Sequence, residues 1–536
     1  MTASPRRTRR VLAVLATLAA MVGATAPGAA AQAEDLDWSA CGEAGAECAT
    51  LEVPRDYDSP GGRKLDIAVA RVAATDPDNR IGSLFFNFGG PGADHVGTVR
   101  EVGADLFPGL SDRFDIVGFD PRGTGESEGA LDCRVNQEEQ GVYSQPFITP
   151  ESLDVGSFVD KIDRYVDRCK DLNDVGVLQS ATTANLARDM DRLRRAVGDD
   201  ELTFLGFSYG TQVGATYASL YPSRYRALVL DGALDPDEYV NKPLNNLAAQ
   251  TAGFERALGR FLQACAADQA ACLGFGGADP WDRLDELIEQ LEAEPATTAD
   301  GRKLEADDVR FAITLPTYAK QFWPDLAFVL AALQAGDPNP MRELADIAYG
   351  RNEDGTYDPG SDRYFLLSGV EQRYPSDTDP FLDFGARSWA SFDHFYYNSG
   401  YSELYWGRLD VTPRDAFYGP FRARSSSPTA LVVGTTYDPA TPYRGAKQMV
   451  RQLGDARLLT MRGDGHTAYG GNSPCIDAAV EAYLEEGTVP PAGTSCRQEV
   501  PFVQPEPEAQ GRSSRSAGTG SMLDRLRAHG LPVRLR

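Results

Sequence analysis

Histidine is scarce in this sequence, with four residues in a chain of 536. No histidine or cysteine lies in a cluster with the spacing of a zinc site, so the sequence predicts no metal site. The glycine-rich stretch at residues 87–92 lacks the lysine and the serine or threonine of a P-loop, which argues against a phosphate cradle. No cofactor is therefore expected. If a histidine acts as a general base, it is one of four residues: His95, His394, His466 or His529.

Basic residues are outnumbered by acidic ones, 52 to 78, and the formal net charge is -26. Such a surface repels nucleic acid and anionic membranes, so neither is expected as a partner. Long apolar runs are also missing, because the longest, at residues 11–22, is too short to span a bilayer. Arginines precede that run and small residues follow it, which predicts a signal peptide at residues 1–33 and leaves the Sec and twin-arginine routes open. We expect a secreted, extracellular protein that has no membrane contact once the signal is removed.

The eight cysteines form an even number, which in an exported chain predicts disulfide bonds. The sequence alone allows many pairings. Our hypothesis is that each cysteine pairs with its nearest neighbour along the chain, giving Cys41–Cys48, Cys133–Cys169, Cys265–Cys272 and Cys475–Cys496.

The stretch Gly206-Phe207-Ser208-Tyr209-Gly210 fits Gly-x-Ser-x-Gly, the pattern of a nucleophile elbow. Residues 202–205 are apolar and typical of a buried parallel strand, and residues 211–221 have helical spacing and end before Pro222. The motif requires this context, because a sharp turn between strand and helix lifts the serine Oγ above the sheet. The sequence therefore predicts that Ser208 is a nucleophile rather than an inert surface serine.

Strands alternate with helices in two parts of the chain, which predicts a parallel, doubly wound sheet. Strands are predicted at residues 65–72, 83–88, 114–119, 202–205, 227–230, 430–434 and 457–461, and residues 34–58 are predicted to be irregular. Between residues 236 and 421 the pattern is helical, with no confident strand, which predicts an inserted lid. The predicted division is a signal peptide (1–33), a core (34–235), a helical lid (236–421), the rest of the core (422–500) and a flexible basic tail (501–536).

The predicted lid is rich in aromatic residues near its end. Any one of these aromatic residues is expected to belong to the lid's own core. Their number nevertheless predicts that several of them line a cleft. They are Trp389, Phe392, Phe395, Tyr396, Tyr397, Tyr401, Tyr405 and Trp406.

A serine hydroxyl needs a base to take its proton and a third group to orient that base. His466 follows the last long predicted strand, in a glycine-containing loop from which an imidazole can reach the elbow. Asp438 follows the preceding strand, so the predicted catalytic set is Ser208, Asp438 and His466 in that chain order. Two alternatives stay open: Asp438 as a helix N-cap, and Asp464 as the orienting acid.

An acyl-transfer site also needs two amides that face the developing oxyanion. The N–H of Tyr209, directly after the nucleophile, is one candidate, and the N–H of Gly90, in the loop after an early strand, is the other. A second turn-rich loop, at residues 120–127, is predicted to shape the wall of the site or to brace the glycine loop.

Taken together, these residues resemble the α/β-hydrolase exopeptidases of the prolyl iminopeptidase and tripeptidyl aminopeptidase group. The match is closest to secreted tripeptidyl aminopeptidases with a TAP-like C-terminal segment. The motifs that carry it are Gly89-Gly90-Pro91-Gly92, Asp120-Pro121-Arg122-Gly123-Thr124-Gly125, Gly206-Phe207-Ser208-Tyr209-Gly210-Thr211, Leu230-Asp231-Gly232, Asp438-Pro439-Ala440-Thr441-Pro442 and Gly465-His466. The lid departs from the family, because Val370-Glu371-Gln372 stands where a cysteine-and-aspartate segment is expected.

The resemblance implies an α/β-hydrolase fold and a secreted serine aminopeptidase of tripeptidyl or prolyl type. Such an enzyme hydrolyses short peptides from a free N-terminus through an acyl-enzyme, and an acidic lid group pairs with the substrate's ammonium. Glu371 and Asp393 are the candidates for that group. The alternative is an esterase or amidase that acts on small non-peptide substrates, because esters and amides share the acyl mechanism. A non-catalytic binding protein on the same scaffold is a third possibility, although such proteins usually lose triad members.

Overall fold

The computed structural model describes residues 36–42, 45–144, 149–395, 401–424 and 426–502. The predicted signal peptide (1–33) and nearly all of the predicted tail (501–536) lie outside these ranges, as do Tyr396 and Tyr397.

A ten-stranded sheet forms the core, in the order β1-β2-β3-β5-β4-β6-β7-β10-β11-β12. From β5 to β12 the neighbouring strands run parallel, and β1, β2 and β3 add an antiparallel edge. Its strands are β1 (Ser39–Ala40), β2 (Glu47–Pro54), β3 (Lys64–Val72), β4 (Gly82–Asn87), β5 (Phe114–Phe119), β6 (Leu202–Phe207), β7 (Tyr225–Asp231), β10 (Ala430–Tyr437), β11 (Ala456–Asp464) and β12 (Ser495–Arg497). This is the α/β-hydrolase architecture expected from the sequence.

The order of the central strands determines where a site can form. The chain proceeds from β4 to β5 on one side and later returns to β6 on the other, so β4 and β6 lie side by side. In open parallel sheets such a reversal leaves a crevice at the carboxyl ends of the two strands. The glycine loop follows β4 and the elbow follows β6, so both open into this crevice.

Helices flank both faces of the sheet and form a further layer over it. Those packed on the sheet include α4, α5 and α16 on one face and α1 and α17 on the other. The helices are α1 (Val96–Val102), α2 (Val155–Leu172), α3 (Val175–Ser180), α4 (Thr183–Ala196), α5 (Tyr209–Leu220), α6 (Pro236–Asn241), α7 (Pro243–Ala267), α8 (Pro280–Ala293), α9 (Ala306–Ala312), α10 (Thr314–Thr317), α11 (Trp323–Gln334), α12 (Asn339–Tyr349), α13 (Gly360–Glu371), α14 (Asp379–Trp389), α15 (Leu404–Arg408), α16 (Arg444–Leu453) and α17 (Pro474–Glu486).

The helical layer has two apolar cores of its own. One is built mainly from α7, α8, α9, α11 and α12. The other joins α13 and α15 to α2, so residues between β5 and β6 contribute to this layer although the sequence had placed them in the core. The layer also contains a short antiparallel hairpin, β8 (Ala296–Thr297) with β9 (Lys303–Leu304), where no strand was expected.

The prediction of an irregular segment at residues 34–58 was wrong, because that segment contains β1 and β2. Eight residues of β2 pair in antiparallel register with β3, from Glu47 opposite Arg71 to Pro54 opposite Lys64. Only the second half of β2 alternates clearly, with Leu51 and Val53 buried and Glu52 exposed. The cross-strand hydrogen bonds of β3 therefore stabilise a strand whose own pattern is weak.

Four disulfide bonds link the nearest-neighbour cysteine pairs along the chain. They join Cys41 to Cys48, Cys133 to Cys169, Cys265 to Cys272 and Cys475 to Cys496. Among the residues that the structure describes, no helix has the length and apolar content needed to cross a bilayer.

Candidate active site

Ser208 lies in the sharp turn between β6 and α5, with φ 54° and ψ -121°. Non-glycine residues rarely adopt a positive φ, and such strain concentrates at functional sites. The flanking glycines allow the close approach: a Cβ at Gly206 would lie 2.4 Å from the Gly210 carbonyl oxygen, and one at Gly210 would lie 2.4 Å from that of Asn87. The elbow is thus held between its own helix and the end of β4.

Asp438 and His466 follow β10 and β11, and the sheet brings them together. The His466 Nδ1 lies 3.0 Å from each carboxylate oxygen of Asp438. Asp438 is fully buried and also accepts hydrogen bonds from the Ala440 and Thr441 amides and the Thr441 hydroxyl, at 2.8–2.9 Å. With the proton on Nδ1 directed at Asp438, Nε2 is left as the basic nitrogen. The alternative role of Asp438 as a helix N-cap was wrong, because α16 begins at Arg444 with Tyr443 at its N-cap position, and the amides that Asp438 accepts belong to the turn before it.

The pKa of His466 reflects two opposing effects. Burial lowers the pKa of the imidazole, but the charge of Asp438, its hydrogen bond to Nδ1 and the charge of Asp231 outweigh burial and raise the pKa above its usual value. A raised pKa strengthens the imidazole as a proton acceptor and favours the imidazolium that forms during acyl transfer.

Ser208 and His466 line the same cavity, which has a volume of about 820 Å³. The imidazole Nε2 is buried and has no hydrogen-bond partner within the described part of the chain. Core loops and the helical layer both contribute to the wall, the latter with residues such as Tyr364, Phe395 and Trp406. Of the aromatic residues singled out near the end of the predicted lid, Phe395 and Trp406 line this cavity, whereas Tyr401 and Tyr405 are buried elsewhere in the layer.

Of the two amides predicted for an oxyanion hole, one lies at this cavity and the other directly follows Ser208. Gly90 lines the cavity, and Tyr209 opens α5 directly after Ser208. A Cβ at Gly89 would lie 2.8 Å from the Ser208 Cβ and 3.0 Å from the Tyr209 nitrogen, so the glycine loop touches the elbow. The Gly89 amide donates to Asn87 Oδ1, whereas the Gly90 and Tyr209 amides have no acceptor among the described residues.

His95 and Asp120 brace the glycine loop from below. Both are fully buried, and the Phe88 amide donates to His95 Nε2 at 3.1 Å while the His95 Nδ1 lies 3.0 Å from the Phe119 carbonyl. Asp120 accepts the amides of His95, Val96 and Glu126 at 2.7–3.0 Å. This agrees with the bracing role predicted for the loop at residues 120–127, and both ring nitrogens of His95 contact backbone groups.

The remaining histidines and the rival acid lie in other contacts. His394 is buried between Glu255 and Asp285, at 2.7 and 3.2 Å. The Asp464 carboxylate pairs with the Arg260 guanidinium, so its charge is directed at α7 rather than at the imidazole. His529 lies outside the described residues.

Neither predicted substrate acid is among the residues that line the cavity. Glu371, at the end of α13, is buried and accepts hydrogen bonds from the Thr183 amide, at 3.0 Å, and from the Thr183 hydroxyl. Burial raises the pKa of Glu371 to about 7. Asp393 is exposed. A different acid, Glu403, is buried and lines the cavity together with Tyr364.

The lining of the cavity is acidic. Its carboxylates belong to Asp105, Glu403, Asp477 and Glu481, and none of the described residues that line it is lysine or arginine. Sequence reasoning missed Glu403 because the surrounding Tyr401-Ser402-Glu403-Leu404-Tyr405-Trp406 resembles an ordinary helix with one polar face. The only available signal was its place in the aromatic-rich end of the predicted lid.

Comparison with known proteins identifies two matching families and several relatives. Residues 83–274 match the family described as "alpha/beta hydrolase fold", and residues 407–496 match the family described as "TAP-like protein". Serine protease Hip1 of Mycobacterium tuberculosis is 33% identical over 86% of this chain and 91% of its own length. Carboxylesterase B of the same species is 36% identical over 88% and 91%. Tripeptidyl aminopeptidase of Streptomyces lividans is 27% identical over 90% of each chain.

Proposed function

The chain belongs to the α/β-hydrolase family, as a member with a TAP-like C-terminal region, and from this we propose that it is a serine aminopeptidase. Its substrates are short peptides with a free N-terminus, cleaved to release tripeptides or single residues. One observation carries the proposal: the cavity that contains Ser208 and His466 is lined by the buried Glu403 and by no described lysine or arginine. A carboxylate in a partly dry site favours an ammonium group.

The proposed reaction follows the acyl-enzyme route. Ser208 Oγ attacks the scissile carbonyl while His466 Nε2 takes the hydroxyl proton, and Asp438 holds the imidazole in the required tautomer. The Gly90 and Tyr209 amides stabilise the oxyanion of the tetrahedral intermediate. His466 then gives its proton to the leaving amine, and the acyl group remains on Ser208. In the second half of the reaction, water attacks the acyl carbonyl while His466 takes its proton, and His466 returns that proton to Ser208 Oγ as the acyl-enzyme bond breaks.

The helical layer supports the restriction to short substrates. Residues 236–421 act in this proposal as a lid over the carboxyl edge of the sheet, because the cavity wall combines lid residues with core loops. A cavity of about 820 Å³ lies within the usual range for small-ligand sites, about 300–1,000 Å³. A site of this size favours short peptides as substrates.

Secretion is part of the proposal. Four disulfide bonds fit an oxidising compartment, in which such bonds persist. The sequence of residues 1–33 supports export, although these residues lie outside the described part of the chain.

The experiment compares three substrates with the same chromophore: a tripeptide with a free amine, its N-acetylated form and a short acyl ester. We expect the free-amine peptide to be preferred, and Ser208→Ala to abolish turnover of all three. Glu403→Gln should raise KM for the free-amine peptide by about 10- to 100-fold, which is the value of one charge-assisted hydrogen bond, and leave the ester unchanged. Equal effects of Glu403→Gln on peptide and ester would contradict the assignment of the ammonium to Glu403.

A carboxylesterase is the second candidate, since a relative of that name is 36% identical to this chain. The candidate triad serves ester hydrolysis equally well. Rapid turnover of the ester with no turnover of any free-amine peptide would favour this candidate over the peptidase.

A further inference from the structure

Asp231, the last residue of β7, has a buried carboxylate to which the proposed reaction assigns no role. The side chain is fully buried, yet it accepts the Ala468 amide at 3.1 and 2.9 Å and the Tyr469 amide at 2.8 Å. Both amides belong to the loop that begins with His466. An isolated carboxylate would not be buried without such donors, so Asp231 and this loop depend on each other.

The backbone of Asp231 is bound to the elbow as well. Its carbonyl accepts the Ser208 amide at 2.9 Å, and Asp231 pairs in register with Phe207 on β6 and Val433 on β10. The next residue, Gly232, lies so close to the imidazole that a Cβ there would be 3.0 Å from the His466 Cε1. One residue at the centre of the sheet thus contacts both the turn of the nucleophile and the loop of the base.

Two carboxylates act on the His466 imidazole. Asp438 contacts Nδ1 directly, and Asp231 acts from the adjacent strand, where its charge also raises the pKa of His466 against the opposing effect of burial. Burial raises the pKa of Asp231 to about 6, against the opposing hydrogen bonds of Tyr469 and Ala468 and the charge of His466. Asp231 is therefore ionised at neutral and alkaline pH. The other titratable ring against His466 is the phenol of Tyr318, whose pKa is raised by burial and which stays neutral.

We propose that Asp231 is a positioning residue: its carboxylate fixes the loop that carries His466, and its charge adds to that of Asp438 in favouring the imidazolium. The proposal rests on the catalytic role proposed for Ser208 and His466. In the attack step the proton moves from Ser208 Oγ to His466 Nε2, and Asp231 neither gains nor loses a proton.

Two variants separate charge from position. Asp231→Asn removes the charge and leaves one acceptor for two amides, so kcat/KM for the short ester should fall by roughly tenfold to 100-fold. The acid limb of its pH profile should move to lower pH by about half a unit or more, because the imidazole loses a neighbouring anion. Asp231→Glu keeps the charge but displaces the carboxylate, so kcat should fall while the acid limb stays near that of the wild type.

Asp115→Asn is the matched control, because Asp115 is also a buried sheet carboxylate that accepts an amide, that of Ala74 at 2.9 Å, but lies on β5. We expect its pH profile to match the wild type. The same profile is measured through the rate of fluorophosphonate labelling of Ser208, which reports only folded protein and does not depend on the natural substrate.

The outcomes distinguish this inference from the proposed function. The role of Asp231 would be overturned if the wild type is labelled and the Asp231→Asn variant is folded but keeps the acid limb and the kcat/KM of the wild type. Absence of labelling in the folded wild type would instead overturn the catalytic role of Ser208. If Asp231→Asn does not fold, Asp231→Glu decides: an unchanged kcat would overturn the positioning role.

Discussion

At the scale of single residues, two buried glutamates of the helical layer have different surroundings. Glu403 lines the cavity of the candidate site, whereas the Glu371 carboxylate is bound by Thr183. The Thr183 hydroxyl also lies 2.7 Å from the phenol oxygen of Tyr209, so Glu371 is connected through Thr183 to α5, the helix that follows Ser208. Glu371 therefore links the helical layer to the first turn of α5.

The charge of Glu371 should make stability depend on pH. Burial raises its pKa from 4.5 to about 7, so the folded protein binds more protons than the unfolded chain between these values. Stability contributed by this site is then present at low pH and is lost as pH rises through about 7. Glu371→Gln removes this loss. The melting temperature of the variant minus that of the wild type should therefore increase from pH 5 to pH 8, by the equivalent of about 3 kcal/mol at most. A difference in melting temperature that does not vary with pH would contradict the buried, uncharged state of Glu371.

At the scale of elements, the site is formed where strand ends meet the helices that follow them. The sequence predicted β4 and β6 and the loops after them, but the distance between these loops comes from their being neighbours in the sheet. Their separation is so small that α5 approaches the backbone of β4 at Gly210. The contact explains why the elbow has glycine at this position.

Two glycine-to-alanine changes should have opposite effects on stability. A Cβ at Gly210 would lie 2.4 Å from the Asn87 carbonyl oxygen, a backbone atom, so α5 must move away from β4. We expect a loss of about 1–3 kcal/mol or more and reduced activity in Gly210→Ala. Gly259 in α7 has open space at the Cβ position, so Gly259→Ala should gain roughly 0.5–1 kcal/mol by helix propensity. Chemical denaturation of both variants measures the two free energies, and the same sign in both would contradict this packing.

At the scale of the whole molecule, the sheet and the helical layer have separate apolar cores, and covalent bonds reinforce both. Cys133–Cys169 joins the segment after β5 to α2, while Cys265–Cys272 closes the end of α7. The bond between Cys475 and Cys496 joins α17 to the edge strand β12. The first of these bonds follows a sheet strand and the last holds the edge strand, whereas Cys265–Cys272 lies within the helical layer.

The loops closed by these disulfides differ in length. Removing a bond that closes a longer loop should therefore lower the free energy of unfolding by more. The Cys133–Cys169 bond spans 36 residues and the Cys41–Cys48 bond spans 7. By chain entropy the longer loop contributes about 4 kcal/mol and the shorter about 2 kcal/mol. The double variant Cys133→Ala/Cys169→Ala should therefore melt at a lower temperature than Cys41→Ala/Cys48→Ala, as measured by calorimetry. The reverse order of melting temperatures would show that the Cys133–Cys169 bond contributes little stability beyond the packing of α2.

The sequence by itself determined the elbow, the parallel strands and the chain order of Ser208, Asp438 and His466, because each depends on local patterns beside a strand end. It did not determine β2, whose weak pattern needs the hydrogen bonds of β3.

Only the tertiary structure decided which acids face the cavity. Glu371, Asp393 and Glu403 all lie in the same helical segment, and their different surroundings follow from how its helices pack over the sheet. The contact of Asp231 with the loop of His466 likewise joins residues more than two hundred positions apart, through strands that are neighbours only in the folded sheet. The periodicity of apolar residues in the sequence indicates which face of a helix or strand is buried. The partner of a buried carboxylate, by contrast, depends on packing between segments that are distant in the sequence.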